Sequence, residues 1–507
     1  MKNHILGLQL LFSLLASATI ALANDTPKPT GPDQDGTKAA LVKIAGEGEM
    51  DSHAFLYLTE LSDEIGGRVT GSPQAQKAVD WGVAKMNDIG LKNVRAEKWT
   101  MWKGWTRGTA QAELIAPLHR SLSIDAMGWT GSTPAGGAEG EIVTANLFDL
   151  DAEMKDLSRF RGKIVMMKPE GAPKKSVMLI FAQFGDFLNA LQKAGAIAVI
   201  GGQGGFPAEG MHLTHTGILG FAVDFPIPVV DMTREDQGQI ERYLAAGKPV
   251  RMRINVQNTF TNGPVESANV VGEIVGRENP EEIIVVGAHL DSWDLSEGTT
   301  DNGTGTTSVL GAAEAIIKSG ATPRRTIRFV LFTGEEQGLL GSLAYVKQHQ
   351  SEMKNHIGDV VLDNGQGSIK EIQLGGRNDL VATMQPFADS LGGIREIKVS
   401  DKTEFGTDTG PFTLAGLPGI NLDQDSPDYK YTHHSAGDAL EAVKPDILAQ
   451  NATIMAMTSY WLADRPDRFA YPWPAEKTAK MLREKGDYDM LKAFNLWTFG
   501  DLGATEK

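Results

Sequence analysis

The sequence predicts an α/β fold: a mostly parallel sheet with helices on both faces, interrupted by a β-rich inserted domain. Three observations predict it. From about Val265 onward, β-branched runs alternate with helical segments at lengths that suit a parallel sheet covered on both faces. Between about Leu114 and Val256 the texture changes to short strand-like runs with few long helices. The chain has 507 residues, 57 of them Gly, which leaves room for more than one compact unit and for many strand-to-loop turns.

Taken in order, Lys2 precedes an apolar run from Ile5 to Ala21, and Ala21-Leu22-Ala23 is a small-residue cleavage pattern. Residues 1–23 therefore read as a secretory signal peptide, and the chain is expected to be exported to the periplasm or the medium. Residues 24–46 are rich in Pro, Gly, Asp and Lys and are expected to form a flexible mature amino terminus. The first part of the main domain is assigned to residues 47–113. It holds a helix near Met50 to Ile65 and a second helix after Ser72-Pro73. In the second helix Ser72 is the N-cap, Pro73 takes the first position, and Gly90 terminates it. Ala75, Ala78, Val79, Val83 and Met86 keep helical spacing between these ends, and a strand follows over Val94 to Trp99.

The inserted domain is assigned to residues 114–258. Its strands are Gly162 to Lys168, Ala196 to Ile200 and Ile227 to Val230, with helical stretches at Phe187 to Gly195 and Glu235 to Ala246. Its order and texture resemble the protease-associated domain. The second part of the main domain, residues 259–465, alternates regularly. Strands at Ile283 to Val286, Thr326 to Phe332 and Asp359 to Leu362 are separated by helices at Gly303 to Ser319 and Gly338 to His349. Residues 466–507 form a tail with an amphipathic helix near Glu476 to Lys485 and no assigned role.

The chain contains no Cys, so neither disulfides nor a lipid-anchored cysteine support it. Its net charge of −16 argues against nucleic acid or anionic membrane as a partner. Once the leader is removed, no segment is apolar and long enough to be a membrane span.

In open α/β sheets, function collects at the carboxyl ends of the strands. Here each buried strand runs into a metal-type ligand. Ile283 to Ala288 leads into His289-Leu290-Asp291, Thr326 to Phe332 leads to Glu335-Glu336, and Asp359 to Leu362 leads into Asp363. Asp301 opens the helix that begins near Gly303. One such acid alone reads as a cap or turn residue. Several at successive strand ends would repel one another unless a cation neutralised them.

Imidazole nitrogen and carboxylate oxygen with room for water are what zinc takes, although Mn or Co also suits the set. Two ions need one shared carboxylate, assigned to Asp301. One ion then takes His289, Asp301 and Asp363; the other takes Asp301, Glu336 and His434. Such a pair would activate a water at neutral pH. Glu335, not needed as a ligand, is the expected general base and later proton donor to the leaving amine. Asp291 is placed to orient the His289 ring. Tyr431, Asp408 and His433 are candidate substrate-side residues. His212 and His215 form an H-x-x-H that reads as an exposed pair. Asn302-Gly303-Thr304-Gly305 lacks the lysine of a phosphate loop.

These residues resemble the co-catalytic di-zinc exopeptidases, the group of secreted aminopeptidases and plasma glutamate carboxypeptidase. The likeness lies in GAHLDSWDLSEG (Gly287 to Gly298), TGEEQG (Thr333 to Gly338), HHSAGD (His433 to Asp438), Gly406-Thr407-Asp408 and LSDEIGGRVTGS (Leu61 to Ser72), and leans to the carboxypeptidase Q branch. Ala439 stands where that group usually has Thr after the Asp. The resemblance implies a zinc-exopeptidase, phosphorylase/hydrolase-like core, two Zn2+ per chain, short peptide substrates and often a homodimer. Dipeptide hydrolysis of the carboxypeptidase Q type is the leading expectation. Aminopeptidase action at the same centre is the alternative. A glutaminyl-cyclase-like acyltransferase and a non-catalytic receptor-type relative are weaker readings.

Overall fold

The computed structural model describes residues 32–201 and 211–504. The signal-peptide reading of residues 1–23 lies outside the described residues. Among those described, no helix is long and apolar enough to cross a membrane.

The main sheet has eight strands. In spatial order they are Lys92–Met101, Val265–Ile274, Arg325–Phe332, Asn279–His289, His356–Val361, Gly419–Asp425, Ser368–Gln373 and Lys398–Ser400. The four central strands, Arg325–Phe332 to Gly419–Asp425, run parallel, as the sequence predicts. The flanks do not. Val265–Ile274 is antiparallel to Arg325–Phe332, and Ser368–Gln373 is antiparallel to Gly419–Asp425. The sheet is therefore mixed.

Side chains alternate between its two faces, as strand geometry requires. Ile284, Val286 and Ala288 enter the larger core with Val309, Ile316 and Ile454 of the covering helices Thr304–Lys318 and Pro445–Asp464. Ile283 and Val285 enter a core on the other side with Val330, Tyr345 and Phe412. The chain order matters for function. From Asn279–His289 it passes to Arg325–Phe332 on one side, then crosses to His356–Val361 on the other. This reversal opens a crevice at the carboxyl end of Asn279–His289, where ligands bind in sheets of this kind.

A second eight-stranded sheet lies between the two parts of the first. Its order is Arg120–Leu122, Trp105–Ala116, Arg251–Phe260, Ala138–Asn146, Lys163–Lys168, Ala198–Ile200, Val229–Met232 and Ile124–Ala126. The expected limits 114 and 258 fall inside two of these strands. Trp105 pairs with Phe260 and Ala116 with Arg251, so one antiparallel ribbon opens and closes the unit. Trp105, Ala112 and Leu114 of this ribbon are core residues, whereas Gly108 and Thr109 between them are exposed.

The flexible terminus expected over 24–46 is corrected in its described part. Pro32–Met50 is a helix. Ile44 is fully buried, Ala40, Leu41 and Ala45 pack beside it, and Thr37 Oγ1 donates to Asp464 Oδ2 at 2.7 Å. The helix forms because its apolar positions find a docking surface, which outweighs the poor propensity of its first turns. The helix expected near Met50 to Ile65 is shorter, Ala54–Thr59 followed by a π turn over Glu60–Ile65. The Ser72–Gly90 helix matches its caps: Ser72 Oγ accepts from the Ala75 amide at 3.1 Å, and Gly90 is left-handed. The tail is packed. Leu482, Leu491 and Phe494 share a core with Phe405, and Phe181 and Phe221 of the second-sheet unit lie against it.

Candidate metal centre

Three predicted ligands stand where the crevice opens. His289 ends its strand, Glu336 lies in the loop after Arg325–Phe332, and Asp363 lies just past His356–Val361. Asp301 comes from the turn Thr299–Gly303, and His434 from a loop at a positive φ of 53°. Asp301 sits between two sets. Its Oδ1 is 3.3 Å from His289 Nε2, which is also 3.0 Å from Asp363 Oδ1. Its Oδ2 is 3.3 Å from His434 Nε2, which is also 2.9 Å from Glu336 Oε2. Asp301 Oδ2 and Glu336 Oε1 are buried and accept no hydrogen bond.

The backbone around Asp301 is held from several directions. Asp438 accepts the Thr300 and Asp301 amides at 2.6 and 3.3 Å. Asn302 Nδ2 donates to the Leu362 carbonyl at 2.8 Å, and the Gly305 amide donates to Asn302 Oδ1 at 2.9 Å. Gly305 is required by this closeness: a Cβ there would lie 2.4 Å from the Leu362 carbonyl oxygen. Thr306 Oγ1 donates to the His289 carbonyl at 2.7 Å, tying the helix start to the strand end.

The charges are strongly unbalanced. Burial and the neighbouring Asp301 push the Glu336 carboxyl well above the usual range, and burial raises Asp363 as well. Burial would also raise Asp301, but His289, His434 and His433 hold it below the usual range. Burial would lower His289, yet Asp363, Asp291 and Asp301 hold its imidazole well above the ordinary value. Glu335 is half-buried, and burial with Asp363, Glu336 and Asp408 pushes it well up. Carboxyl groups so crowded favour either protons or a cation.

The part expected of Asp291 is corrected in its atom. His289 Nδ1 bonds the Asp291 backbone carbonyl at 2.9 Å, while the carboxylate stands 3.7 Å away. The carboxylate instead accepts Thr70 Oγ1 at 2.8 Å and the Glu335 amide at 3.4 Å. It thus steadies the Glu335 loop, and the chain turn at Asp291 orients the ring.

Of the three candidate substrate-side residues, His433 is nearest the cluster. Its ring stacks on His434 at 3.8 Å and its Nε2 is 4.0 Å from Asp301 Oδ2. Asp408 is fully buried, and burial pushes its carboxyl up to about 7. Tyr431 is half-buried under Lys430, whose Nζ is 4.9 Å from the ring. The phenol that feels the acids is Tyr429, driven well up by burial and then by Asp301 and Asp363. Its ring meets His433 edge-on at 5.0 Å.

Sequence reasoning missed Arg68. Its side chain is fully buried and donates to the carbonyls of Leu290, Gly66, Glu297 and Gly298, at 2.6, 3.2, 2.7 and 2.8 Å. Burial lowers it to about 10, while Asp438, Asp291, Asp301 and Glu336 oppose that fall, so it stays charged at neutral pH. It pins the loop from Leu290 to Gly298 and places a cation behind the acids. Arg68→Met would leave these carbonyls unsatisfied and is expected to cost about 3–5 kcal/mol of unfolding free energy in urea titration. A loss under about 1 kcal/mol would show that the loop does not depend on it.

His212 and His215 do not form an exposed pair. His212 is exposed, with Nδ1 3.6 Å from Glu235 Oε2. His215 is buried, because its segment pairs with the His434 loop through an antiparallel bridge to Ser435. Its amide donates to Asp231 Oδ2 at 2.8 Å, and its Nδ1 is 3.9 Å from the same oxygen. Burial lowers His215 to about 4 and raises Asp231 to about 8, so both are neutral at pH 7. A carboxyl raised on folding stabilises fully below its unfolded pKa, and that contribution is lost as pH rises towards the folded value. The melting temperature of the wild type relative to Asp231→Asn is therefore expected to fall between pH 4 and pH 8. A difference that stays flat over this window would contradict the assignment.

Residues 269–459 match the model of peptidase family M28. The chain is 30% identical over 433 residues to mouse carboxypeptidase Q, covering 84% of this chain and 88% of that protein. It is 29% identical over 435 residues to carboxypeptidase Q of Xenopus laevis, covering 84% and 89%. The structure is similar to that of a peptidase M28 precursor from Shewanella amazonensis. That likeness has a TM-score of 0.77 and 27% identity, and covers 87% of this chain and all of the other. The fold is also shared with a zinc aminopeptidase from Bacillus subtilis, at a TM-score of 0.61 and 21% identity over 83% of this chain and 97% of that one.

Proposed function

Because the chain belongs to peptidase family M28 and is a metallo-exopeptidase, we propose that it is an exported di-zinc enzyme that hydrolyses dipeptides or short peptides. The observation that carries the reading is Asp301, whose two carboxylate oxygens face separate pairs, His289 with Asp363 and His434 with Glu336. The donors fit zinc: two imidazoles, three carboxylates, and buried oxygens on Asp301 and Glu336 that accept no hydrogen bond. The set His289, Asp301 and Glu336 offers ligand atoms all within 4.8 Å of one another. Bound there, two zinc ions would polarise the scissile carbonyl and activate a water.

The remaining work falls to the protein's own groups. Glu335 takes the proton of the attacking water and returns it to the leaving nitrogen as the C–N bond breaks. The Asp291 carboxylate holds the Glu335 amide, and the Asp291 carbonyl fixes the His289 ring. His433 flanks the cluster, where it meets the substrate. The second-sheet unit, which we assign as a protease-associated domain, borders the cleft and limits substrate length.

Similarity to carboxypeptidase Q over most of the chain supports cleavage of unblocked dipeptides. The test assays the zinc-loaded enzyme on an unblocked dipeptide, its amino-terminally blocked form and an aminoacyl anilide. The dipeptide is expected to be cleaved fastest. Rapid release from the anilide without dipeptide cleavage would make the enzyme an aminopeptidase. Export is tested by sequencing the amino terminus of the protein recovered outside the cytoplasm, which is expected to begin at Asn24. Recovery of the protein only in the cytoplasm, with Met1 intact, would refute it.

A further inference from the structure

We infer that the second-sheet unit is a working part of the metal centre, with Arg107 as the positioning residue that fixes the His434 loop. This rests on the two-metal reading above. His434, unlike His289, has no strand behind it, and its φ of 53° is one that residues other than Gly seldom adopt. Something outside its own loop must hold it.

The second-sheet unit does so by strand-like pairing. The Thr216 amide donates to the His434 carbonyl at 2.8 Å, and the Ala436 amide donates to the Thr214 carbonyl at 3.1 Å. His215 and Ser435 form the antiparallel bridge between them. Gly217 comes against the ring itself, so that a Cβ there would be 3.4 Å from His434 Nδ1.

Arg107, on the strand Trp105–Ala116, connects this segment to the other half of the site. One of its terminal nitrogens donates to Thr216 Oγ1 at 3.0 Å and to Asp294 Oδ1 at 2.7 Å. Its Nε reaches the same Asp294 oxygen at 2.9 Å, and its other terminal nitrogen donates to the Ala126 carbonyl. Thr216 Oγ1 in turn donates to the Ala126 carbonyl at 3.2 Å. Asp294 belongs to the loop that follows His289. A single guanidinium, little exposed, therefore ties the loop of one imidazole ligand to the segment that clamps the other. Trp293 adds an apolar contact along the same line. Its ring lies 6.0 Å from His434 and 6.2 Å from Trp129 of the second-sheet unit.

Loosening an orienting partner of a metal-ligating imidazole typically costs about 10–100-fold in metal affinity. Because the clamp grips His434 and only reaches His289 through its loop, the cost should fall on one ion.

The test titrates metal-free full-length protein with buffered zinc, and follows folding by circular dichroism. The wild type is expected to bind two ions. In Arg107→Met the ion held by His434 and Glu336 should weaken about 10–100-fold while the ion held by His289 and Asp363 is unchanged. Arg107→Lys should recover part of the loss, because it keeps the charge opposite Asp294 but not the fork. A wild type that binds one ion would sink the two-metal reading itself. A wild type that binds two, with Arg107→Met binding both unchanged or losing both equally, would overturn the positioning role alone. Should Arg107→Met not fold, Asp294→Ala removes the oxygen that accepts both guanidinium bonds and so breaks the same link from the other side. It must weaken the same ion selectively, and equal or absent loss there overturns the proposal.

Discussion

Glu335→Gln is expected to keep both zinc ions and to lose about two to four orders of magnitude in turnover. The amide has nearly the shape of the carboxyl, and the loop around it stays in place. The backbone amide of residue 335 still meets Asp291, and its carbonyl still accepts the Gly338 and Leu339 amides. What is lost is a group able to take a proton and give it back. Zinc content by elemental analysis and kcat on an unblocked dipeptide separate the two consequences. Full activity in the variant would mean another group is the base. Loss of zinc along with activity would mean that Glu335 is a ligand.

Asp301→Ala is expected to have the larger effect on metal. It removes a carboxylate whose two oxygens each stand 3.3 Å from a different imidazole. Outer partners of a zinc site cost about 10–100-fold in affinity when lost. A shared inner ligand must cost more than that at each position, so zinc should fall from two ions per chain towards none, with turnover below detection. Comparison with Asp363→Ala is informative, because Asp363 stands 3.0 Å from His289. That variant should retain the ion on the His434 side. Equal losses in the two variants would argue that Asp301 is not shared.

Much of this site was legible in the sequence, for a physical reason. His289, Glu336 and Asp363 each follow a short run rich in β-branched, aliphatic or aromatic residues that suits a buried strand. Strand ends of a parallel sheet converge on one crevice. His434 was harder. It follows no strand, and its place depends on pairing with residues 214–216, more than two hundred positions away. Only its motif with His433 and Asp438 marked it. Arg68 left no mark, because a buried arginine that satisfies backbone carbonyls has no periodic or spacing signature. The sole hint was its place in Leu61 to Ser72.

The misreadings share a cause. Helix Pro32–Met50 opens with residues of poor helix propensity, and its stability comes from docking on Pro445–Asp464 and the neighbouring core. His215 looked like half of an exposed pair, but a tertiary bridge buries it. The limits of the second-sheet unit were set at 114 and 258 by a change in sequence texture, although the ribbon runs on to Trp105 and Phe260. At Asp291 the backbone carbonyl, not the carboxylate, meets the His289 ring, since backbone direction at a strand end is not written in residue type.

The central claim is that one carboxylate, Asp301, stands between two zinc ions held by different partners. Anomalous scattering at the zinc edge from crystals of the zinc-loaded enzyme tests it most directly. The account predicts two peaks, one between Asp301, His289 and Asp363 and the other between Asp301, His434 and Glu336. A single peak, or a second peak away from Asp301, would contradict it.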